Sequence, residues 1–307
     1  MLKGMAGGLA AMLLSSGRLL ARTNPLETGS QRITKPIHST GEQIPVIGMG
    51  TWQTFNVGND PKLRNDRTQV LSEFFARSGA LIDSSPMYGS SQDVVGYGLG
   101  KLGAQDKVFS ADKVWTWDAG RTRRQIDASR SKWNVDSFDL MQVHNLVQWE
   151  AHLPKLRAMK KSGRIRYLGI TTSHGRRHEL FEHVMKTRKL DFVQFTYNMI
   201  DRAAEQTLLP LARERNIAVI VNRPFRGGSL VDRLQNNNHP LPDWASEIGC
   251  ANWPQFLLKF IVSHPAVTCA IPATTKVHHM RENMGAARGP LPDPDTRQRM
   301  LRYLHSL

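Results

Sequence analysis

Short apolar and β-branched runs recur along the chain from Ile33 onward, and longer stretches with apolar residues spaced three or four apart separate them. The short runs are typical of buried strands and the longer stretches of amphipathic helices. Eight runs predict strands: Val46–Trp52, Ala80–Asp83, Val108–Ala111, Phe138–His144, Tyr167–Thr172, Phe192–Tyr197, Ala218–Asn222 and Thr268–Pro272. Seven helical stretches lie between them and an eighth follows the last, so strands and helices are predicted to alternate.

The helical stretches carry start and stop signals of their own. Trp149–Lys161 keeps its apolar residues on one face, ends in two lysines and is followed by Gly163. Pro254 suits the first turn of a helix over Pro254–Val262. The same spacing predicts helices over Arg67–Arg77, Glu179–Lys186 and Ala204–Arg213.

A hairpin is predicted ahead of this repeat, because Ile33–His38 and Gln43–Ile47 flank four turn residues. The alternation, with no long antiparallel run, favours a (β/α)₈ TIM barrel whose bottom the hairpin would close. An open dinucleotide-binding sheet is disfavoured, because Gly96, Gly98 and Gly100 miss the Gly-x-Gly-x-x-Gly spacing and lie in a helical stretch. The predicted domains are an export signal and linker over residues 1–30 and the barrel over residues 31–307.

The composition is that of a folded protein: 40% of the 307 residues are hydrophobic, 22% are charged, and no like charges form a long run. A net charge of +15 raises nucleic acid, membrane surfaces and anionic small molecules as partners. Nucleic acid is not expected, because the arginines are dispersed and no zinc-finger or RNA-recognition signature accompanies them. No metal site is expected either, and Cys250 and Cys269 are predicted to be free packing residues.

The N-terminus differs in kind from the rest. Lys3 precedes the apolar run Met5–Leu14, and Ser15-Ser-Gly-Arg follows, an order typical of an export signal. The run is too short to span a bilayer. Met1-Leu2-Lys3 also resembles the end of a twin-arginine (Tat) export motif, whose paired arginines would lie upstream of Met1. The prediction is a periplasmic protein that meets the membrane only through this signal, and the alternative is a cytoplasmic protein with a frayed N-terminal helix.

Ionisable groups follow neighbouring predicted strands, at the end of a barrel where chemistry takes place. Asp83 and Tyr88 follow the second run, Lys113 follows the third, and His144 ends the fourth. An acid, a phenol, a lysine and an imidazole brought together form a proton-donating site. We expect Lys113 to lower the pKa of Tyr88, because a nearby cation favours the phenolate. The alternative is a turn acid, a rim aromatic and a hydrogen-bonded edge histidine.

These residues carry a resemblance to the aldo/keto reductase family that covers nearly the whole chain from Ile33. The matching segments are Ile44–Trp52, the Asp83 to Tyr88-Gly89 spacing, Lys113-Val114, Asp139–His144, Gly163–Ile170, and Ile271-Pro272 followed by Glu282-Asn283. The resemblance implies a catalytic tetrad of Asp83, Tyr88, Lys113 and His144 without substitution. It also implies an enzyme that reduces a small-molecule aldehyde or ketone by hydride transfer from a reduced nicotinamide.

The resemblance assigns a role to each site residue. Tyr88 gives its proton to the carbonyl oxygen, Lys113 supports Tyr88 electrostatically, Asp83 pairs with Lys113, and His144 orients the substrate oxygen. Apolar walls of the substrate pocket would come from Trp52, Met87 and Trp115, for which core packing is the alternative role.

The implied cofactor is NADP(H), with NAD(H) possible. The implied cofactor contacts are Thr171, Thr172, Gln194, Asn222, Arg223, Thr274, Thr275, Lys276, Glu282 and Asn283. Asn222 stands where the family places the aromatic that stacks on the nicotinamide, so that partner is missing or displaced. His279 stands where an arginine often grips the 2′-phosphate, and Lys276 could replace that charge.

Two other functions stay open at this point. The first is an exported nucleotide-binding and sensing barrel with little turnover, which Asn222 and the export signal support. The second is a Schiff-base aldolase that uses Lys113, which is disfavoured because an adjacent carboxylate would keep the lysine charged.

Overall fold

Eight parallel strands form a closed barrel in the computed structural model, which describes residues 31–307. They follow chain order around the barrel: β3 (Met49–Gly50), β4 (Leu81–Asp83), β5 (Phe109–Val114), β6 (Phe138–Val143), β7 (Ile165–Thr171), β8 (Phe192–Thr196), β9 (Ala218–Asn222) and β10 (Cys269–Ala270). Hydrogen bonds of 2.9 Å from Gly48 N to the Ala270 carbonyl and from Ala270 N to the Val46 carbonyl close the ring. The predicted (β/α)₈ barrel is confirmed.

Ten helices surround the barrel: α1 (Pro61–Ala76), α2 (Ser91–Leu102), α3 (Thr122–Trp133), α4 (Trp149–Lys161), α5 (His178–Thr187), α6 (Leu208–Glu214), α7 (Ser229–Asn236), α8 (Trp253–Val262), α9 (Val277–Gly285) and α10 (Pro294–His305), all within residues 31–307. Eight lie at the predicted places, and α7 and α10 were not predicted. Asp60, Asn252 and Asp293 cap α1, α8 and α10 by accepting the N–H three residues on, and a proline follows each cap within the first turn. α6 is shorter than predicted because a separate 3₁₀ turn forms at Ala203–Glu205.

The hairpin closes the bottom of the barrel. β1 (Thr34–Pro36) and β2 (Gln43–Pro45) pair antiparallel, as predicted. Ile37 and Ile44 pack with the first inward side chain of each central strand, in a cluster that includes Leu81, Phe109, Leu140, Tyr167, Phe192 and Ala218. This end of the barrel is therefore a packed apolar plug.

Every second side chain of a strand points into the barrel, and at the other end of the barrel these inward side chains are polar. Along β5, inward positions run from Phe109 through Ala111 to Lys113. Along β6 they run from Leu140 to Gln142, and His144 follows directly after the strand. The barrel therefore changes from apolar to ionisable side chains toward the carboxyl ends of its strands, and the candidate site lies there.

Of the three glycines that miss the dinucleotide fingerprint, Gly96 serves helix packing. Gly96 lies in α2, where an added Cβ atom would meet the Lys132 carbonyl oxygen of α3 at 1.8 Å. Cys250 and Cys269 are buried free thiols, as predicted. No helix between residues 31 and 307 is long and apolar enough to cross a bilayer. The predicted export signal and linker lie outside the described residues.

Candidate active site

Asp83 and Lys113 form a buried ion pair at the top of the barrel interior. Asp83 ends β4, and Lys113 lies one residue before the end of β5. Lys113 Nζ is 2.5 Å from Asp83 Oδ2 and donates to the Ser84 carbonyl oxygen at 2.8 Å. Burial opposes a charge on Lys113, but the attractions to Asp83 and neighbouring acids outweigh it and raise the Lys113 pKa. The lysine is therefore a fixed cation.

Tyr88 and His144 lie against this pair. Lys113 Nζ is 4.9 Å from the centroid of the Tyr88 ring, and the Tyr88 and His144 rings meet edge to face with centroids 5.6 Å apart. Burial raises the pKa of Tyr88, and the charge of Lys113 opposes that shift without reversing it. The expected lowering of the Tyr88 pKa is therefore wrong in net direction. The phenol keeps its proton at neutral pH and can donate it.

Ser85 holds the imidazole of His144. Its Oγ lies 2.8 Å from His144 Nδ1 and also accepts the N–H of Met87 at 3.2 Å. Burial, and then repulsion by Lys113, lowers the His144 pKa well below its ordinary value, so the ring is neutral. A neutral imidazole carries a single N–H. Because Ser85 engages Nδ1, Nε2 is left for a ligand.

Side-chain amides extend the network across the barrel. Asp83 Oδ1 accepts a hydrogen bond from Gln194 Nε2 at 2.8 Å. Asn222 Nδ2 donates to the Thr172 carbonyl at 2.9 Å, while Asn222 Oδ1 accepts from Thr196 Oγ1 at 2.7 Å. Asn222 therefore packs as part of the polar wall and presents no ring to a ligand.

One cavity of about 230 Å³ opens beside the tetrad, slightly below the roughly 300–1,000 Å³ typical of small-molecule pockets. Its wall contains three tetrad members, five predicted cofactor contacts and two predicted substrate contacts: Asp83, Tyr88, His144, Thr171, Thr172, Gln194, Asn222, Arg223, Trp52 and Met87. Lys113 is fully buried behind this wall and acts only through its neighbours. The cavity can enclose a reacting ring and a small carbonyl group.

Five predicted cofactor contacts do not line this cavity and lie just before or within α9. Thr274, Thr275 and Lys276 lead into the helix, and Thr274 Oγ1 accepts the Lys276 N–H at 3.1 Å. Glu282 and Asn283 lie within α9 itself. Their contact with the adenosine end of a nucleotide stays a prediction.

Trp115 does not line the cavity, unlike the predicted substrate contacts Trp52 and Met87. It borders a separate depression on the β5 side of the mouth. β5 ends at Val114, and Gln125 of α3 hydrogen-bonds both the N–H and the carbonyl of Trp115 at 2.7 Å. These two hydrogen bonds hold Trp115 outside the strand, so its side chain does not continue the inward-facing row of β5 and lies at the outer rim.

The wall also contains residues that the sequence did not single out, among them Phe225, Gly227 and Gly228. Both glycines adopt left-handed backbone angles, with φ of 77° and 102°, immediately before α7. A Gly-Gly pair between a strand and a helix is a recognisable signal for a ligand-binding turn. Ser85 gave no such signal, since it lies 59 residues from His144 in the chain.

The cavity wall suits a nicotinamide nucleotide. Hydroxyl and amide groups from Thr171, Gln194 and Asn222 have the polarity that a carboxamide requires. Arg223 is half-buried on the wall, and its guanidinium makes no hydrogen bond with any residue between 31 and 307. A guanidinium without a hydrogen-bond partner beside a helix start suits a phosphate group.

Several known proteins are similar to this chain in sequence or in fold. The chain is 28% identical over 261 residues to the methylglyoxal reductase YeaE of Escherichia coli (strain K12), covering 81% of this chain and 88% of the relative. It is 23% identical, over an alignment of 322 positions, to the NADH-specific methylglyoxal reductase of the same organism, covering 85% and 95% of the two chains. The structure of an aldo-keto reductase from Klebsiella pneumoniae in complex with NADPH superposes with a TM-score of 0.72 at 21% identity, covering 88% of this chain and 95% of that one.

The model of the Aldo/keto reductase family matches residues 46–298, which include every barrel strand and all four tetrad residues. The chain therefore belongs to the aldo/keto reductase family of oxidoreductases.

Proposed function

We propose that this protein reduces an aldehyde or ketone to an alcohol, with NADP(H) as the hydride source and Tyr88 as the proton donor. The observation that carries the proposal is the meeting of Tyr88 and His144 on one cavity wall, with the Asp83–Lys113 ion pair buried against them. A neutral phenol and a neutral imidazole can both donate to one carbonyl oxygen.

Each residue has a distinct part in this reaction. His144 donates from Nε2 to the carbonyl oxygen and fixes its position. Tyr88 transfers its hydroxyl proton to that oxygen, and Lys113 stabilises the phenolate that remains until solvent returns a proton. Asp83 holds Lys113 in place and keeps it charged. A bound reduced nicotinamide supplies the hydride that adds to the carbonyl carbon, so an alcohol and an oxidised nucleotide leave.

The cofactor assignment rests on residues of this chain and on its relatives. Arg223 and the Gly227-Gly228 turn would hold the phosphates, and Phe225 supplies the wall with the aromatic ring that Asn222 lacks. Lys276, exposed before α9, would meet the 2′-phosphate. The Klebsiella pneumoniae relative is in complex with NADPH, whereas one Escherichia coli relative is NADH-specific, so NAD(H) is the alternative cofactor.

The test combines binding with turnover. Purified protein is titrated with NADPH and with NADH by fluorescence, and a panel of aldehydes and ketones is then screened for oxidation of the preferred nucleotide. We expect NADPH to bind more tightly and several carbonyls to be reduced. Tight nucleotide binding with no turnover on any carbonyl would instead identify a nucleotide-sensing barrel.

We also propose that the chain is exported, on the sequence of residues 1–21 alone. A lysine, an apolar run and a polar segment follow one another there. Twin-arginine export carries folded proteins, so the barrel could leave with its nucleotide bound. Fractionation of cells should recover shortened protein outside the cytoplasm, and full-length protein found only in the cytoplasm would overturn the proposal.

A further inference from the structure

Large apolar side chains are exposed on one sector of the barrel mouth. Trp52, Met87, Trp115 and Trp117 follow three adjacent strands, β3, β4 and β5, and are 38%, 39%, 37% and 73% exposed. Between residues 31 and 307 the only other large hydrophobic side chain of this kind is Leu307. The exposed apolar surface is therefore concentrated at the mouth, beside the cavity.

The outer part of this sector is a shallow depression, here called the β5 shelf, formed by Trp115, Trp117, Arg121, Arg124 and Gln125. Its loop is held rigidly. Gln125 brackets the backbone of Trp115, and His152 Nε2 lies 2.9 Å from the Thr116 carbonyl. Trp117 follows this held backbone and is 73% exposed to solvent. Its indole is an apolar surface beside the cavity that a ligand can cover.

The β5 shelf also carries unbalanced positive charge. Arg121 Nε is 3.3 Å from Asp118 Oδ2, and Arg123, which faces away from the shelf, pairs with Asp127 at 3.6 Å. The Arg124 guanidinium makes no ion pair or hydrogen bond within residues 31–307. One guanidinium is thus available on the shelf, and its planar donors match a carboxylate.

We propose that the β5 shelf binds the remote end of the substrate, which is an aromatic or other flat apolar group that carries a carboxylate. This inference rests on the proposed carbonyl reduction. The cavity beside Tyr88 holds about 230 Å³, and Trp115 is two residues from Lys113, so their Cα atoms are at most about 7 Å apart. In this proposal a substrate whose aldehyde meets Tyr88 extends out of the cavity mouth and places its far end on the β5 shelf. Contacts made there can contribute to transition-state binding without taking part in the chemistry.

The test uses aryl aldehydes that carry a carboxylate at increasing distance from the aldehyde, each paired with its neutral carboxamide. We expect kcat/KM of the wild-type enzyme to favour the carboxylate at one length, and added salt to weaken the preference. Arg124→Ala should reduce that preference by up to roughly fivefold, the range of an exposed ion pair. Trp117→Ala should lower kcat/KM for both members of the pair by up to roughly tenfold. Arg123→Ala, one position away, is the control and should change neither.

The outcomes separate this inference from the proposed function. If no aldehyde in the series is reduced, the proposed function fails first. If the aldehydes are reduced but carboxylate and carboxamide perform alike, or if Arg124→Ala and Arg123→Ala have equal effects, the carboxylate subsite is wrong while carbonyl reduction stands.

A second inference comes from the Ser85–His144 contact. Ser85 Oγ accepts the Met87 N–H, so its own hydrogen can be donated to His144 Nδ1. Both side chains are buried. We infer that Ser85 is a positioning residue that fixes the His144 tautomer with its proton on Nε2, the atom left to meet the carbonyl oxygen.

Ser85→Ala tests this inference, with Ser84→Ala as the matched control. Ser84 is equally buried, and its Oγ has no hydrogen-bond partner within the described chain. In Ser85→Ala we expect kcat to fall at least severalfold with nucleotide affinity unchanged, and nitrogen NMR of His144 to show a mixture of tautomers. Ser84→Ala should match the wild type. An unchanged tautomer and kcat in Ser85→Ala would refute the role.

Discussion

Asp83→Asn should destabilise the barrel strongly, because it leaves the buried Lys113 ammonium without its counter-ion. The two side chains are 3% and 0% exposed, and Nζ lies 2.5 Å from the carboxylate. Removing one partner of a buried pair typically costs about 3–5 kcal/mol. Asparagine keeps an acceptor and the Ser84 carbonyl still lies 2.8 Å from Nζ, so the lower end, about 3 kcal/mol, is expected.

Urea unfolding followed by fluorescence and circular dichroism measures this loss. The control is Asp93→Asn, which breaks the 2.9 Å contact with Lys132 between side chains that are about two-fifths exposed and should cost less than about 1 kcal/mol. The double variant Asp83→Asn with Lys113→Met should lose less than the sum of the single changes, because it removes both charges.

The pH dependence of the unfolding free energy tests the same ion pair independently. In the wild type Asp83 raises the Lys113 pKa above its unfolded value, so this pair stabilises the fold at neutral pH and its contribution is lost only as pH rises through that pKa. In Asp83→Asn burial prevails and lowers the Lys113 pKa. The folded state then releases a proton that the unfolded state keeps, and stability should rise with pH above neutrality. Loss of less than about 1 kcal/mol, with no such rise, would refute the reasoning.

Three further predictions concern other parts of the structure. Burial raises the pKa of Asp112 to about 7, so its contribution to stability should fall as pH rises from roughly 4 to 7, by at most about 1.4 kcal/mol per pH unit. In Asp112→Asn the unfolding free energy, measured over the same range, should depend less on pH. Gly96→Ala should destabilise the fold by about 1–3 kcal/mol because its Cβ meets a backbone carbonyl, whereas Gly100→Ala in the same helix, with its nearest atom 4.0 Å away, should stabilise it by up to about 1 kcal/mol. Denaturant midpoints measure both changes, and equal effects would contradict the packing argument. Lys276→Glu should raise the dissociation constant of NADPH more than that of NADH, and equal changes would place Lys276 away from the 2′-phosphate.

The fold could be predicted because its signal is local. Each strand is a short apolar run, and several helices have a capping side chain or a terminal glycine that the sequence displays, such as Asp60 before α1 and Gly163 after α4. α4 has the predicted bounds Trp149–Lys161 for this reason. The inward period of the strands also brings Asp83, Lys113 and His144 to one end of the barrel.

The features that the sequence analysis missed or got wrong depend on contacts between distant parts of the chain. Trp115 turns outward because Gln125 brackets its backbone, and strand periodicity does not report that contact. The net pKa shift of Tyr88 depends on how much protein surrounds it, so the neighbouring Lys113 alone gave the wrong sign. The Ser85–His144 contact joins two strand-end loops and exists only once the barrel is closed.

The central claim is that Tyr88 gives its proton to a carbonyl oxygen, and Tyr88→Phe tests it most directly. The variant is compared with Tyr97→Phe, which removes a hydroxyl that hydrogen-bonds Asn65 at 2.9 Å on the helical surface. NADPH affinity is measured by fluorescence, and carbonyl reduction by single-turnover nucleotide oxidation at saturating substrate. We predict that Tyr88→Phe binds NADPH as the wild type does but loses at least about 10²-fold in rate, while Tyr97→Phe keeps both. Wild-type turnover in Tyr88→Phe would contradict the account.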